Sequence, residues 1–446
     1  MSFRVQKQFP EFTVTPCQGT LPCTKTCCAI TTDSTEWTRL RPIVTLHAMP
    51  LVRPFQGVER RVAWLRAVLL ASCGVSLIAS APLWINSREF PVLPITPGFP
   101  ILTTPWDAWF FGAMLLSLVL AAWVYRLAVT AFLVMGFFAF CEDQNRSQPW
   151  FYMYWVMLLL TLWPPRIAVA ACQLSISAVY IWSGIQKCSP HFFGGEPAWF
   201  VAPAANWHLP GVVIDLLRWA VATAPFVEIG IGVGLWSKRF RRAAIVAVFL
   251  VHGSALLFLG PLGRNYNWIV WPWNVAMIGL VFVLFGRWES KAEKLSGASE
   301  AFGVLRRSKG ALAVVALYGL LPILSYVGLW DSYFSFAVYA ENAATANVFV
   351  TQKFADRLPP HVRSFVRPFS QTYDPQFQGP LVLMYGAWCY KELHVTFIPE
   401  PRVYHALFLA LRRYSQEPGD LRLIIGPRFG PVQFYEGDRR VLLTPK

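Results

Sequence analysis

The stretch "IAVAACQLSISAVYIWSGIQKCSPHFF", residues 167–193, decides how this chain is read. It is apolar through residue 185, then stops on Gln186, Lys187 and Cys188, with Pro190 and His191 close behind. A membrane-spanning helix needs about 20 apolar residues, within a range of about 17–25. The stretch meets that length, so it predicts a span that ends on a lysine. Working outward, eight more apolar runs appear, at 64–85, 106–124, 127–140, 150–163, 212–236, 243–260, 267–285 and 311–328. Runs 127–140 and 150–163 are short for a crossing and fit buried, kinked or tilted hairpin partners.

Composition agrees with a bilayer as the main solvent. The 446 residues are 55% hydrophobic and 14% charged, against about 45–50% and about 25% in an ordinary soluble chain. Mean hydropathy is +0.43. Tryptophan is abundant, at 20, and such rings collect at membrane interfaces. The net charge of +15 raises nucleic acid as a partner, but no basic patch interleaved with aromatics is present, which argues against it. With the N-terminus in the cytoplasm, twelve Lys and Arg fall in inner loops and four in outer ones. That asymmetry supports an odd number of spans, with the C-terminal end outside. It puts Lys187 at the outer end of the fifth span.

The flanks differ from this middle. Residues 1–48 are polar and aperiodic, and carry Cys17, Cys23, Cys27 and Cys28 at spacings that match no standard zinc pattern. They predict a disordered extension. The expected native start is Met49, which opens "MPLVRPFQGVERR". Residues 330–446 mix charges, prolines and short patterns. "ANVFVT" and "LRLIIG" read as strands. "EPRVYHALFLALRRY", from Glu400, reads as an amphipathic helix, with Val403, Leu407, Ala410 and Leu411 on one face. The expected fold is therefore an all-α polytopic membrane bundle of about nine transmembrane helices. It occupies 49–329 and carries a small α+β extramembrane domain at 330–446.

Ionisable groups inside apolar runs are costly and mark functional candidates. Glu228 lies deep in "VATAPFVEIGIGVG" and needs a partner, a cavity or a proton. Asp215 and Arg218, three apart, read as a local ion pair. His252, in "FLVHGSALL", reads as a hydrogen-bonding group between helices. "GRNYNWIVWPWNVAM", residues 263–277, gathers Tyr266, Asn267, Trp271 and Asn274 around Pro272. Its asparagines can also serve as helix caps. "CEDQNRSQPWFYMYW", from Cys141, is polar and aromatic together and includes Trp150.

By the predicted topology these segments meet at the outer face beside Trp182 and Lys187. A cavity lined by aromatics with few polar groups and one amine suits a flat apolar ligand with polar ends. A quinone or hydroquinone fits that description, as does a membrane lipid. An ammonium desolvated there loses its preference for charge and is then available as a general base. The competing reading is a snorkelling lysine with its charge among headgroups. No metal ligand set is evident.

"YIWSGIQKCSPHFFGGEPAWF" resembles a segment of the vitamin K-dependent gamma-carboxylases and their bacterial relatives in the horizontally transferred transmembrane (HTTM) domain family. It is also similar to the helix end of DoxX-type membrane proteins. The resemblance covers roughly residues 60–330. It implies that Lys187 is the base that deprotonates a quinol, with oxygen then giving a strongly basic alkoxide. The family shows a double lysine where this chain has Gln186–Lys187, and a histidine where it has "NRSQPWFYMY". Quinone or lipid handling carries over better than peptide carboxylation. The expectation is thus an integral protein, in a bacterial inner membrane, of the HTTM or gamma-carboxylase-like type. It is a quinol-linked oxidoreductase or carboxylase-like enzyme with Lys187 as base and His252 or Glu228 in support. The alternative is a non-enzymatic lipid- or partner-binding protein. A transporter would call for an internal repeat or matching broken helices, and neither is seen.

Overall fold

A computed structural model describes residues 57–86, 92–265, 267–286, 297–340, 342–369, 380–417, 419–437 and 439–443. The readings for residues 1–48, for a start at Met49 and for Tyr266 lie outside these. The helices are α1 (Val58–Ala79), α2 (Trp106–Leu120), α3 (Tyr125–Glu142), α4 (Pro149–Leu160), α5 (Pro165–Lys187), α6 (Pro190–Val201), α7 (Gly211–Ala222), α8 (Ala224–Gly234), α9 (Arg241–Leu259), α10 (Val270–Phe285), α11 (Ala298–Leu305) and α12 (Lys309–Gly319). Tighter turns carry α12 on to Val327. Among the described residues, five helical stretches are long and apolar enough to cross a membrane: α1, α3, α5, α9 and Lys309–Val327. α2, α4, α8 and α10 are apolar but shorter.

Proline sets several of these starts. α4, α5, α6 and α8 each carry one in their first two positions, where its missing N–H costs nothing and its φ suits a helix. Three sequence expectations change. Run 127–140 belongs to an 18-residue helix, α3. Run 212–236 is two helices, because α7 stops at Ala222 and Pro225 starts α8 anew. The segment after Lys187 is helical too, capped by Ser189, whose hydroxyl accepts from the Phe192 N–H at 3.2 Å.

Small residues decide how two of the helices meet. A Cβ on Gly184 of α5 would lie 2.4 Å from the Pro225 carbonyl oxygen, and one on Gly232 of α8 would lie 2.8 Å from the Ser177 carbonyl oxygen. Glycine at both places lets the α5 and α8 backbones touch.

The segment expected to form an outward-facing loop, 141–148, is buried instead. Arg146 donates to the Glu142 carboxylate, to the carbonyls of Leu83, Ala139 and Trp84, and to Asn86 Oδ1. The turn is also a dock. Tyr385 donates to Asn145 Oδ1 at 2.6 Å, and Gln148 Nε2 donates to the Thr396 carbonyl at 2.7 Å.

Those partners belong to the C-terminal part. It forms an antiparallel sheet ordered β2-β3-β1-β4-β5-β6, from β1 (Thr345–Val350), β2 (Val366–Pro368), β3 (Leu381–Leu383), β4 (Leu421–Gly426), β5 (Val432–Glu436) and β6 (Arg439–Leu443). Both strands expected from the sequence are its central pair, with Val348 opposite Leu423. The expected helix is α13 (Pro401–Leu411), which buries Val403, Leu407 and Leu411. One apolar core runs from the helices into this sheet.

Candidate functional site

Between α5, α8, α9 and α10 lies a cavity of about 630 Å³ with a mainly apolar wall. Lys187, Glu228, His252, Trp150, Asn267 and Asn274 all line it. Six side chains singled out from the sequence, drawn from five separate segments, thus share one wall.

Two polar groupings stand on it. In the first, Lys187 Nζ lies 2.9 Å from Glu228 Oε2 and 2.7 Å from Ser183 Oγ. The lysine is 8% exposed, so its amine turns inward rather than out along the helix end. The glycine contact explains the pairing. Gly184 sits one turn before Lys187, and Pro225 one turn before Glu228. Where those two backbones touch, the next turn of each helix brings amine and carboxylate together.

The second grouping is a chain of three. Asn274 Nδ2 donates to the Val270 carbonyl at 2.6 Å, so its Oδ1 is the acceptor that faces His252 Nδ1 at 2.6 Å. A neutral imidazole then donates from Nδ1 and accepts at Nε2, where the Tyr180 hydroxyl lies 2.7 Å away. The chain joins α5, α9 and α10, which is the helix-bridging role expected of a membrane histidine.

Trp182 and Trp271 do not line the cavity. On α5 the wall is made by Val179, Tyr180, Ser183 and Lys187, and a residue two positions from Tyr180 is turned about 200° away. On α10 the same geometry excludes Trp271, which stacks on Trp268 with ring centres 6.4 Å apart. Asn267 has φ +47°, and its Oδ1 accepts from the Ile269 N–H at 3.3 Å. It is a turn residue at the head of α10 as well as a wall residue. Asn267 also borders a second groove, formed with Trp268, Lys391 and His394.

Sequence reasoning missed Tyr180 and Ser183 as site residues. Both lie on the same helix face as Lys187, at spacings of seven and four residues, and that periodicity is the signal that finds them. It also missed Trp273, whose indole N–H is buried without a hydrogen-bond partner, as is that of Trp150.

No protein-family model, curated protein or solved structure matches this chain.

Proposed function

We propose that the chain is an integral membrane protein that binds a quinone or hydroquinone in this cavity and uses Lys187 as the base of a quinol-linked reaction. The observation that carries the reading is the meeting of the Lys187–Glu228 pair and the Tyr180–His252–Asn274 chain on one apolar wall. A pocket of this size with few convergent polar groups is the form that small-molecule sites take. A quinol presents two polar ends on a flat ring, and the wall offers two polar groupings. Trp150 and Trp273 add indole donors that lack an acceptor, and a ring carbonyl supplies one.

The ion pair refines the role of the lysine. Shifting one proton from Nζ to Glu228 Oε2 leaves a neutral amine beside a neutral acid, a form that dry surroundings favour over separated charges. That amine takes a proton from a ring hydroxyl, and Glu228 is the group that makes it available. Tyr180 holds the far end of the ring, with His252 and Asn274 fixing the direction of its hydroxyl.

This reading keeps the resemblance to the HTTM and gamma-carboxylase-like proteins as its parent. It takes α2, α4, α8 and α10 with the five longer stretches as nine spans. It places the protein in a bacterial inner membrane, the N-terminus in the cytoplasm and the C-terminal sheet outside. Mass spectrometry of lipid extracts from purified wild type and Lys187→Ala tests it. A quinone that copurifies with wild type and is lost from the variant is expected. Equal profiles containing only phospholipid would overturn the reading and favour a lipid-binding protein.

A further inference from the structure

The cavity is not closed. Ala220 and Thr223, at the end of α7, line it and are also exposed, as is Leu250 of α9 at 68%. It therefore breaks the surface between the α7–α8 junction and α9. The surface around that mouth is apolar: Val246, Phe249 and Leu257 are exposed on α9, and Trp219 on α7. α9 is one of the stretches fit to cross a membrane, so the mouth opens sideways from a lipid-facing helix. The helix break makes the gap. α7 stops at Ala222 and Pro225 restarts the chain as α8, and across from them α9 offers Ala247. Small side chains on both sides leave the slot unfilled. Along α9 the cavity wall runs from Ala247 to Phe258, about 16 Å at the rise of an α-helix. That is longer than a ring needs, and polar groups occupy only its inner part.

We infer that the ligand is a tailed lipid, whose polar ring sits at Lys187, Glu228 and Tyr180 while its single apolar tail leaves through the slot between Thr223 and Leu250 into the bilayer. This rests on the quinone reading above and adds its substrate class, a lipid-borne rather than a water-soluble quinone. A soluble substrate would have to cross the apolar rim, whereas a tail in hydrocarbon meets a surface like its own solvent.

The test uses the purified full chain in nanodiscs and a para-quinone whose apolar tail carries a diazirine. After illumination, the labelled peptides are mapped by mass spectrometry, with and without an excess of the same quinone lacking a tail. Expected are labels on residues 220–224 and 247–251 that the tail-less competitor removes. In Leu250→Trp, at a position already facing lipid and so tolerant of change, slot labelling should fall several-fold. Slot labels that the competitor leaves untouched would mark adventitious lipid contact and overturn the inference. Labels that are competed but fall elsewhere, as in the groove at Trp268 and Lys391, would overturn the slot while leaving the quinone reading standing. No competition anywhere, with no quinone copurifying, would overturn both.

Discussion

Two buried ion pairs hold opposite positions in this protein. Arg146 and Glu142 are four residues apart on one chain segment, with side chains 1% exposed. Lys187 and Glu228 come from different helices, and their side chains are 10% exposed, on a cavity wall. The guanidinium of Arg146 reaches five acceptors, and Glu142 also takes the Leu102 N–H at 2.6 Å and the Asn86 amide at 3.1 Å. That network is closed on every side. The amine of Lys187 has the carboxylate and the Ser183 hydroxyl, and beyond them open volume. Burial of charge alone therefore does not mark a site. A buried pair with every direction occupied is architecture, and one that faces a void is available for chemistry.

The largest effect expected from this contrast is at Arg146. Arg146→Met leaves Glu142 and three carbonyls without their donor, and removal of one partner from a buried pair costs about 3–5 kcal/mol. Thermal unfolding in detergent should show that loss. A drop no larger than the one caused by Lys187→Ala would mean that the two pairs do not differ as the geometry says.

The next effect bears on how the open pair is assembled. In Gly184→Val the new Cβ meets the Pro225 carbonyl oxygen, a backbone atom that cannot step aside. Overpacking of this kind costs about 1–3 kcal/mol, and it should part α5 from α8 and lose the copurifying ligand. Gly230→Ala, on the same α8, meets nothing within 4 Å. It should hold or raise stability by up to about 1 kcal/mol through helix propensity. Ligand retention in Gly184→Val would show that the glycine contact does not set the pair.

How far the site was legible from the sequence follows from the same residues. Apolar runs mark most helices because a bilayer demands continuous hydrophobicity, and isolated charges such as Glu228 stand out against it. The break at Thr223 was not legible as an end, because the residues on both sides stay apolar and only Pro225 hints at it. The α5–α8 contact was invisible for another reason. Gly184 and Gly232 record how close a distant backbone comes, and a single sequence contains no such distance. Trp182 and Trp271 were misplaced because richness in tryptophan says nothing about helix face, which the 3.6-residue period does. Arg146 was read as a loop charge because nothing in "CEDQNRSQPW" announces that the sheet domain will cover it.

A third buried acid lies between the two extremes. Glu400 accepts from the Ser332 N–H at 2.6 Å and hydroxyl at 2.5 Å, while the nearby Arg402 is engaged by Asp331 and Gln144. Burial first, and then the Asp331 carboxylate, push its pKa from 4.5 up to about 7, against the pull of Ser332 and Arg402. The folded chain therefore holds a proton there that the unfolded chain has already released. Stability from this group is full below about pH 4.5 and falls as pH rises towards 7, by on the order of 3 kcal/mol. Glu400→Gln should flatten that part of the melting-temperature profile. An unchanged slope would put the ionisation elsewhere.

The smallest effect is expected at the pair that the sequence alone identified. Asp215 and Arg218 lie 3.4 Å apart on α7, with side chains 64% and 50% exposed. Exposed charges keep most of their hydration, and holding two long side chains together costs entropy, so such pairs contribute roughly 0.2–1 kcal/mol. Asp215→Asn should therefore shift the melting temperature less than any substitution above, and less still in high salt, where exposed charges are screened. α7 buries no residue of its own, and that is what gives the measurement its reach. A loss as large as that of Lys187→Ala would mean that another surface covers α7 and desolvates the pair. Asp215 would then belong beside Arg146 among the closed networks, and the wall that α7 lends to the cavity would owe its position to that covering surface.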